Sequence, residues 1–231
     1  ICKASLDEVK KLMEHADGTV KIMTLAAELQ DDEVIQYLLD QGVVLSLGHS
    51  DATFEQAMEA YNKGFSTTTH LFNAMPSIHH RLPNLPVAVL NHPTAMASII
   101  ADGQHVNYEV VRMSYQLMKE RLFLITDAVT ECHVGPYQHR LNGDKFITEE
   151  GTLSGSNITL LDAVKNCVAH CGIPLSSALN MASLHPAKAI DKATIYGSVS
   201  VGKSADLLLL NDDLILQQAF VAGVEHLITN N

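Results

Sequence analysis

At 231 residues, 47% of them hydrophobic, the chain is long enough for one large domain with its own core, or for one domain with a small appendage. Its formal net charge of -11 argues against duplex DNA and anionic membrane as partners, because both demand a basic face. There is no apolar run long enough to span a bilayer and no basic-then-apolar leader, so a cytoplasmic setting is the expectation. The four cysteines, Cys2, Cys132, Cys167 and Cys171, form no C-x-x-C pair and read as reduced.

The chain opens at Ile1, without methionine and directly before a helix signature, and so reads as an interior piece of a longer polypeptide. Ser5 and Glu8 have capping-box spacing ahead of Val9, Leu12 and Met13, which predicts a first helix ending near Gly18. A strand follows at Val20 to Leu25, then a helix from Asp31 to Asp40 stopped by Gly42, then the apolar run Val43 to Leu47, of the kind buried on both faces. The alternation continues: a helix at Thr53 to Lys63 closed by Gly64, a strand at Phe65 to Leu71, and a polar loop through Pro76, Arg81, Pro83 and Pro86. After it come a short helix near Val87 to Leu90, the strand Met96 to Ala101, a helix at Tyr108 to Lys119, and the strand Leu122 to Thr126.

This rhythm predicts parallel βαβ units. The expected fold class is α/β, a (β/α) TIM-type barrel left incomplete, with about five of the eight strands that closure needs. Short runs with Gly135, Gly143 and Gly151 predict a hairpin insertion near 131–156. Two helices, Ile158 to His170 and Leu175 to Ile190, are expected next. From Gly197 the runs Val199, Val201, Leu207 to Leu210, Phe220 and Val221 read as strands of a small β-sandwich appendage, which divides the chain into 1–196 and 197–231.

Five β-like runs end on, or just before, a side chain that can bind a metal or move a proton: Glu28, His49, His70, His105 and Asp127. A (β/α) barrel gathers the C-terminal ends of its strands at one mouth, so these distant residues are expected to converge. Glu28, His49 and His70 would supply one carboxylate and two imidazoles to a divalent ion. Asp127 has two readings: a buried carboxylate that relays a proton, or the N-cap of whatever follows. His105, in Asp102-Gly103-Gln104-His105, reads as a donor to substrate or as a surface loop histidine. Asn73, Ala74 and Arg81 lie where backbone amides and a guanidinium suit a phosphate, although Arg81 also reads as an ordinary solvated charge.

Taken together, Gly48-His49-Ser50-Asp51-Ala52-Thr53, Thr69-His70-Leu71-Phe72-Asn73-Ala74-Met75, Ala101-Asp102-Gly103-Gln104-His105-Val106, Thr126-Asp127-Ala128 and Leu153-Ser154-Gly155-Ser156 resemble the N-acetylglucosamine-6-phosphate deacetylase family, within the amidohydrolase superfamily. Thr24-Leu25-Ala26-Ala27-Glu28 is similar to that family's metal-carboxylate segment, with Ala27 where Pro is usual. The resemblance implies that Glu28, His49 and His70 bind the metal and that Asp127 is the catalytic acid and base. It implies that Asn73, Ala74, Arg81, the Asp102, Gly103, Gln104 and His105 stretch, and Leu153, Ser154 and Gly155 contact a phosphosugar. It further implies a homodimer in which Arg81 reaches the neighbouring site. Zinc is the expected metal, with iron or another divalent ion fitting the same donors. The family's opening strands, with a His-x-His-like and a His-Leu-Glu-Gly-Pro segment, have no counterpart here. Other amidohydrolase chemistry, such as deamination or cyclic-amide hydrolysis, and an inactive or assembly-dependent piece are the rival expectations.

Overall fold

A computed structural model of the chain describes residues 2–135 and 138–227. Five strands form one parallel sheet in sequence order: β1 (Ile22–Leu25), β2 (Val44–Leu47), β3 (Thr67–Thr68), β4 (Met96–Ile100) and β5 (Leu122–Ile125). A sheet whose spatial order equals its chain order arises when every connection winds the same way, and the expected alternation is met strand by strand. Among the described residues the sheet is not closed: β1 and β5 are its two edges. On β1 the outward side shows, with Ile22 44% exposed, whereas Leu45 and Leu47 of β2 are fully buried.

Helix ends follow local chemistry. In α1 (Leu6–Ala16), Ser5 Oγ accepts from the Glu8 N–H while the Glu8 carboxylate accepts from the Ser5 N–H, the expected capping box. The helix stops one residue early, because Asp17 takes the left-handed turn ahead of Gly18. α2 (Asp32–Asp40) and α3 (Phe54–Lys63) return the chain to the sheet; Thr53 and Gln56 cap α3 reciprocally, and Gly64 ends it at φ 119. α4 (Leu85–Asn91) and α5 (Tyr108–Met118) complete the layer that buries Leu38, Leu71, Leu85, Val111 and Leu122 against the strands. The Arg121 guanidinium donates to the Val89 and Leu90 carbonyls, serving orphan C-terminal groups of α4, and to the Ala95 carbonyl just before β4.

Three departures from expectation have local causes. The predicted helix over 175–190 is two, α7 (Leu175–Ala182) and α8 (Leu184–Ala189), broken at Ser183. Pro186 explains the break: its ring would strike the carbonyl four residues back, at Ala182, and it brings no N–H. The insertion holds three antiparallel strands rather than a single hairpin, β6 (Arg140–Asn142), β7 (Lys145–Ile147) and β8 (Leu153–Gly155). Val199 and Val201 are not in strands but in a solvent-facing segment, 84% and 107% exposed. The tail then forms a second antiparallel sheet of β9 (Leu207–Leu210), β10 (Leu216–Val221) and β11 (Val224–His226). α6 (Leu160–Cys171) lies between the insertion and α7. All four cysteines are free, and among the described residues no helix is long and apolar enough to cross a membrane.

Candidate active site

Three of the expected residues occupy one geometric position. His49, His70 and Asp127 each stand two residues past the end of their strand, after Leu47, Thr68 and Ile125. Each has a left-handed backbone, at φ 49, 32 and 50. Such a conformation costs a residue with a Cβ about 1–3 kcal/mol and persists only where the surroundings enforce it, most often at functional sites. The loop after His70 continues the strain, with Phe72 at φ 78 and Ala74 at φ 49.

The two imidazoles meet. His49 Nε2 lies 2.8 Å from His70 Nε2, with the rings edge to face. Two nitrogen lone pairs repel at that distance unless a proton or a cation lies between them, so the pair is built to share one. His70 is buried; its backbone N–H donates to Ser98 Oγ at 2.8 Å, and its Nδ1 has no hydrogen-bond partner. Partial burial lowers the pKa of His49, the neighbouring His70 lowers it further, and the Asp127 carboxylate opposes them. The Asp127 charge is therefore felt at His49. Asp127 itself is exposed rather than buried, and no helix follows it, which removes the N-cap reading.

Glu28 sits in the 3-10 turn Ala27–Leu29 just past β1. Its carboxylate accepts from Ser50 Oγ at 2.7 Å and from the Asp51 N–H at 2.9 Å. It is thus tied to the two residues that follow His49, at the same end of the sheet. Among the described residues no three His, Cys, Asp or Glu side chains close on a single point, so the structure delivers a histidine pair with a tethered carboxylate rather than a finished three-ligand cage. The donors present, two imidazole nitrogens and one carboxylate, are still those a catalytic divalent ion takes.

Asp102 is not free to touch a ligand. Its Oδ1 accepts from the Gln104 and His105 N–H groups and its Oδ2 lies 2.6 Å from His105 Nδ1, with both side chains about 95% covered. A carboxylate only accepts, so Nδ1 carries a proton and is spent on Asp102, which leaves Nε2 as the ring nitrogen open to a ligand. Gly103, at φ 74, is needed here: a Cβ would lie 2.7 Å from Cζ of Tyr108. Gln104 reaches Asp144 of the insertion at 3.4 Å. His105 lines a cleft of about 330 Å³ with Phe72, Pro76, Ile78 and Val110. A larger cavity of about 510 Å³ lies far from this chemistry, between α6, α7 and β9, walled by Leu160, Val164, Leu179 and Leu207.

Asn73 donates its amide hydrogens to the His70 and Leu71 carbonyls at 3.3 Å, so its first task is to hold the strained loop. Arg81 is exposed on the following loop, with its guanidinium 2.8 Å from His80 Nε2 and no hydrogen bond to the strand-end group. The insertion is fastened to the site. The Ser156 N–H donates to the Asp127 carbonyl at 2.9 Å, the Val129 N–H to the Ser156 carbonyl at 3.2 Å, and a Cβ on Gly155 would lie 2.6 Å from Val129. Leu153, Ser154 and Gly155 are thereby brought beside Asp127, and Ser154 Oγ pairs with His139 Nδ1 at 3.0 Å. Sequence reasoning gave no role to Ser50, Ser98, Ser156 or His139. Ser50 and Ser156 stood inside quoted motifs, but only the folded chain shows what their hydroxyls hold.

Comparison with known proteins identifies the family. The Amidohydrolase family pattern matches residues 2–226. The N-acetylgalactosamine-6-phosphate deacetylase of Escherichia coli O157:H7 is 33% identical over 95% of this chain and 60% of its own length. The N-acetylglucosamine-6-phosphate deacetylase of Vibrio furnissii is 32% identical over 95% of this chain and 57% of its own. A crystal structure of the Mycobacterium smegmatis N-acetyl-D-glucosamine-6-phosphate deacetylase, an aspartate-to-alanine variant in complex with N-acetyl-D-glucosamine-6-phosphate, superposes with a TM-score of 0.90 at 32% identity, covering 96% of this chain and 61% of that one. The chain thus spans about 60% of the length of the relatives it matches. A match over nearly all of its residues, on a sheet that carries its strained histidines at the strand ends, makes the chain a member of the amidohydrolase family.

Proposed function

We propose that the chain forms the larger part of a metal-dependent deacetylase that hydrolyses the acetamide of N-acetylglucosamine 6-phosphate to glucosamine 6-phosphate and acetate. The observation that carries this reading is the convergence of His49 and His70 beside Asp127 on left-handed strand ends. Similarity to sugar-phosphate deacetylases supports the choice of substrate.

Glu28, His49 and His70 would hold the divalent ion, taken as zinc, with iron the next choice for the same donors. When bound, such an ion would supply Lewis acidity to the acetamide carbonyl and would lower the pKa of a coordinated water towards ~7. Asp127 accepts the proton of the attacking water and returns it to the amine nitrogen as the C–N bond breaks. His105, oriented by Asp102, hydrogen-bonds a sugar hydroxyl through Nε2. Asn73, Ala74 and Arg81 serve the phosphate, and the Leu153, Ser154 and Gly155 stretch covers the sugar. In the same reading the five-stranded sheet is a sector of a TIM-type barrel in residues 1–196, and 197–231 contributes strands to a small β domain. The protein works in the cytoplasm as a homodimer, with Arg81 extended towards its neighbour; the exposure of Arg81 supports this.

The test is acetate release from N-acetylglucosamine with and without its 6-phosphate, run beside N-acetylgalactosamine 6-phosphate. Turnover of the phosphosugar alone supports the reading. Indifference to the phosphate would redirect it to another amidohydrolase reaction, and preference for the galactose epimer would move it to the substrate named for the Escherichia coli relative.

A further inference from the structure

Ser50 is 2% exposed, and the direction of each of its hydrogen bonds is settled by chemistry. The Ala52 N–H can only donate, and reaches Ser50 Oγ at 3.1 Å; an ionised Glu28 can only accept, and takes the hydroxyl proton at 2.7 Å. The hydroxyl rotor is thereby locked. The Asp51 N–H holds the other Glu28 oxygen at 2.9 Å, so the carboxylate is clamped at both ends by the two residues that follow His49. Each oxygen keeps a second lone pair. A glutamate side chain left free would instead give up rotamer entropy on being ordered.

We propose that Ser50 is a positioning residue of the metal centre, its hydroxyl holding the Glu28 carboxylate at the end of the sheet that also carries His49 and His70. The inference rests on the metal reading above and deepens it. Hydrogen-bonding partners of metal ligands typically change metal affinity about 10- to 100-fold when removed. Ser50 is also the natural point of coupling between the ends of β1 and β2, which hydrogen-bond along their whole length up to Leu25 and Leu47.

The experiment titrates the metal-stripped protein with zinc against a chromophoric chelator, comparing parent, Ser50→Ala, Glu28→Ala and the double variant. The expected result is that Ser50→Ala weakens zinc binding about 10- to 100-fold, and that the same change has no further effect once Glu28 is alanine. Parent-like affinity in Ser50→Ala overturns the proposal. So does an equal loss with and without Glu28, which would make Ser50 a structural turn residue only. A parent protein that binds no zinc with both histidines intact sinks the metal reading itself, and this inference falls with it.

Discussion

Asp127 is placed by its backbone before its chemistry matters: at φ 50 just past β5, its carbonyl is fixed by the Ser156 N–H, and its carboxylate stays exposed but close enough to be felt by His49. A residue so held can move a proton without reorganising. Asp127→Asn should therefore keep zinc affinity while lowering kcat by about two to four orders of magnitude, the range for loss of a general acid and base; steady-state acetate release and metal analysis on one preparation decide it, and retained turnover removes Asp127 from the chemistry. Asp102 yields a pH prediction. Burial raises the pKa of its carboxyl, but hydrogen bonds from the His105 ring and from the His105 and Gln104 N–H groups outweigh that, leaving it below the usual 3.8. A depressed folded pKa stabilises the fold fully above the unfolded value and loses that contribution as pH falls through the folded one. The denaturant midpoint of Asp102→Asn should accordingly fall less steeply than the parent's as the pH is taken from about 5 to about 3. Equal slopes would mean that the hydrogen bonds around Asp102 do not favour its charged form.

At the scale of elements, capping and close approach explain where helices stop and loops turn. The reciprocal bonds of Thr53 and Gln56 start α3, which packs against the turn that carries Glu28. Removing the cap with Thr53→Ala should cost about 1 kcal/mol in urea unfolding. Gly103 is more demanding, because an added methyl meets both a left-handed φ of 74 and the Tyr108 ring at 2.7 Å. Gly103→Ala should lose about 1–3 kcal/mol of stability and disturb the Asp102 to His105 turn. A variant with parent stability would show that the turn can relax around a side chain.

For the whole molecule, the consequential feature is the sheet that stays open between β1 and β5. An unpaired parallel edge offers N–H and C=O groups to any other chain, and the exposed Ile22 adds an apolar incentive. The 231-residue chain in isolation should show a mass that grows with concentration in sedimentation velocity. A monomer at every concentration would mean that the edges are protected in another way.

Alternation of apolar runs with capped helices, read from residues alone, determined the five parallel strands, their order of appearance and the five strand-end side chains, because period and capping are local properties. The motifs around His49, His70, Asp102 and Asp127 determined the family. What local pattern could not decide were the arrangements set by distant partners. Only the fold brought His49 and His70 nitrogen to nitrogen, turned Asp102 from a ligand contact into the holder of His105, and fastened the insertion to Asp127 through Ser156. Hydrogen bonds between residues tens of positions apart depend on how strands lie side by side, and that juxtaposition belongs to tertiary packing rather than to any stretch of chain.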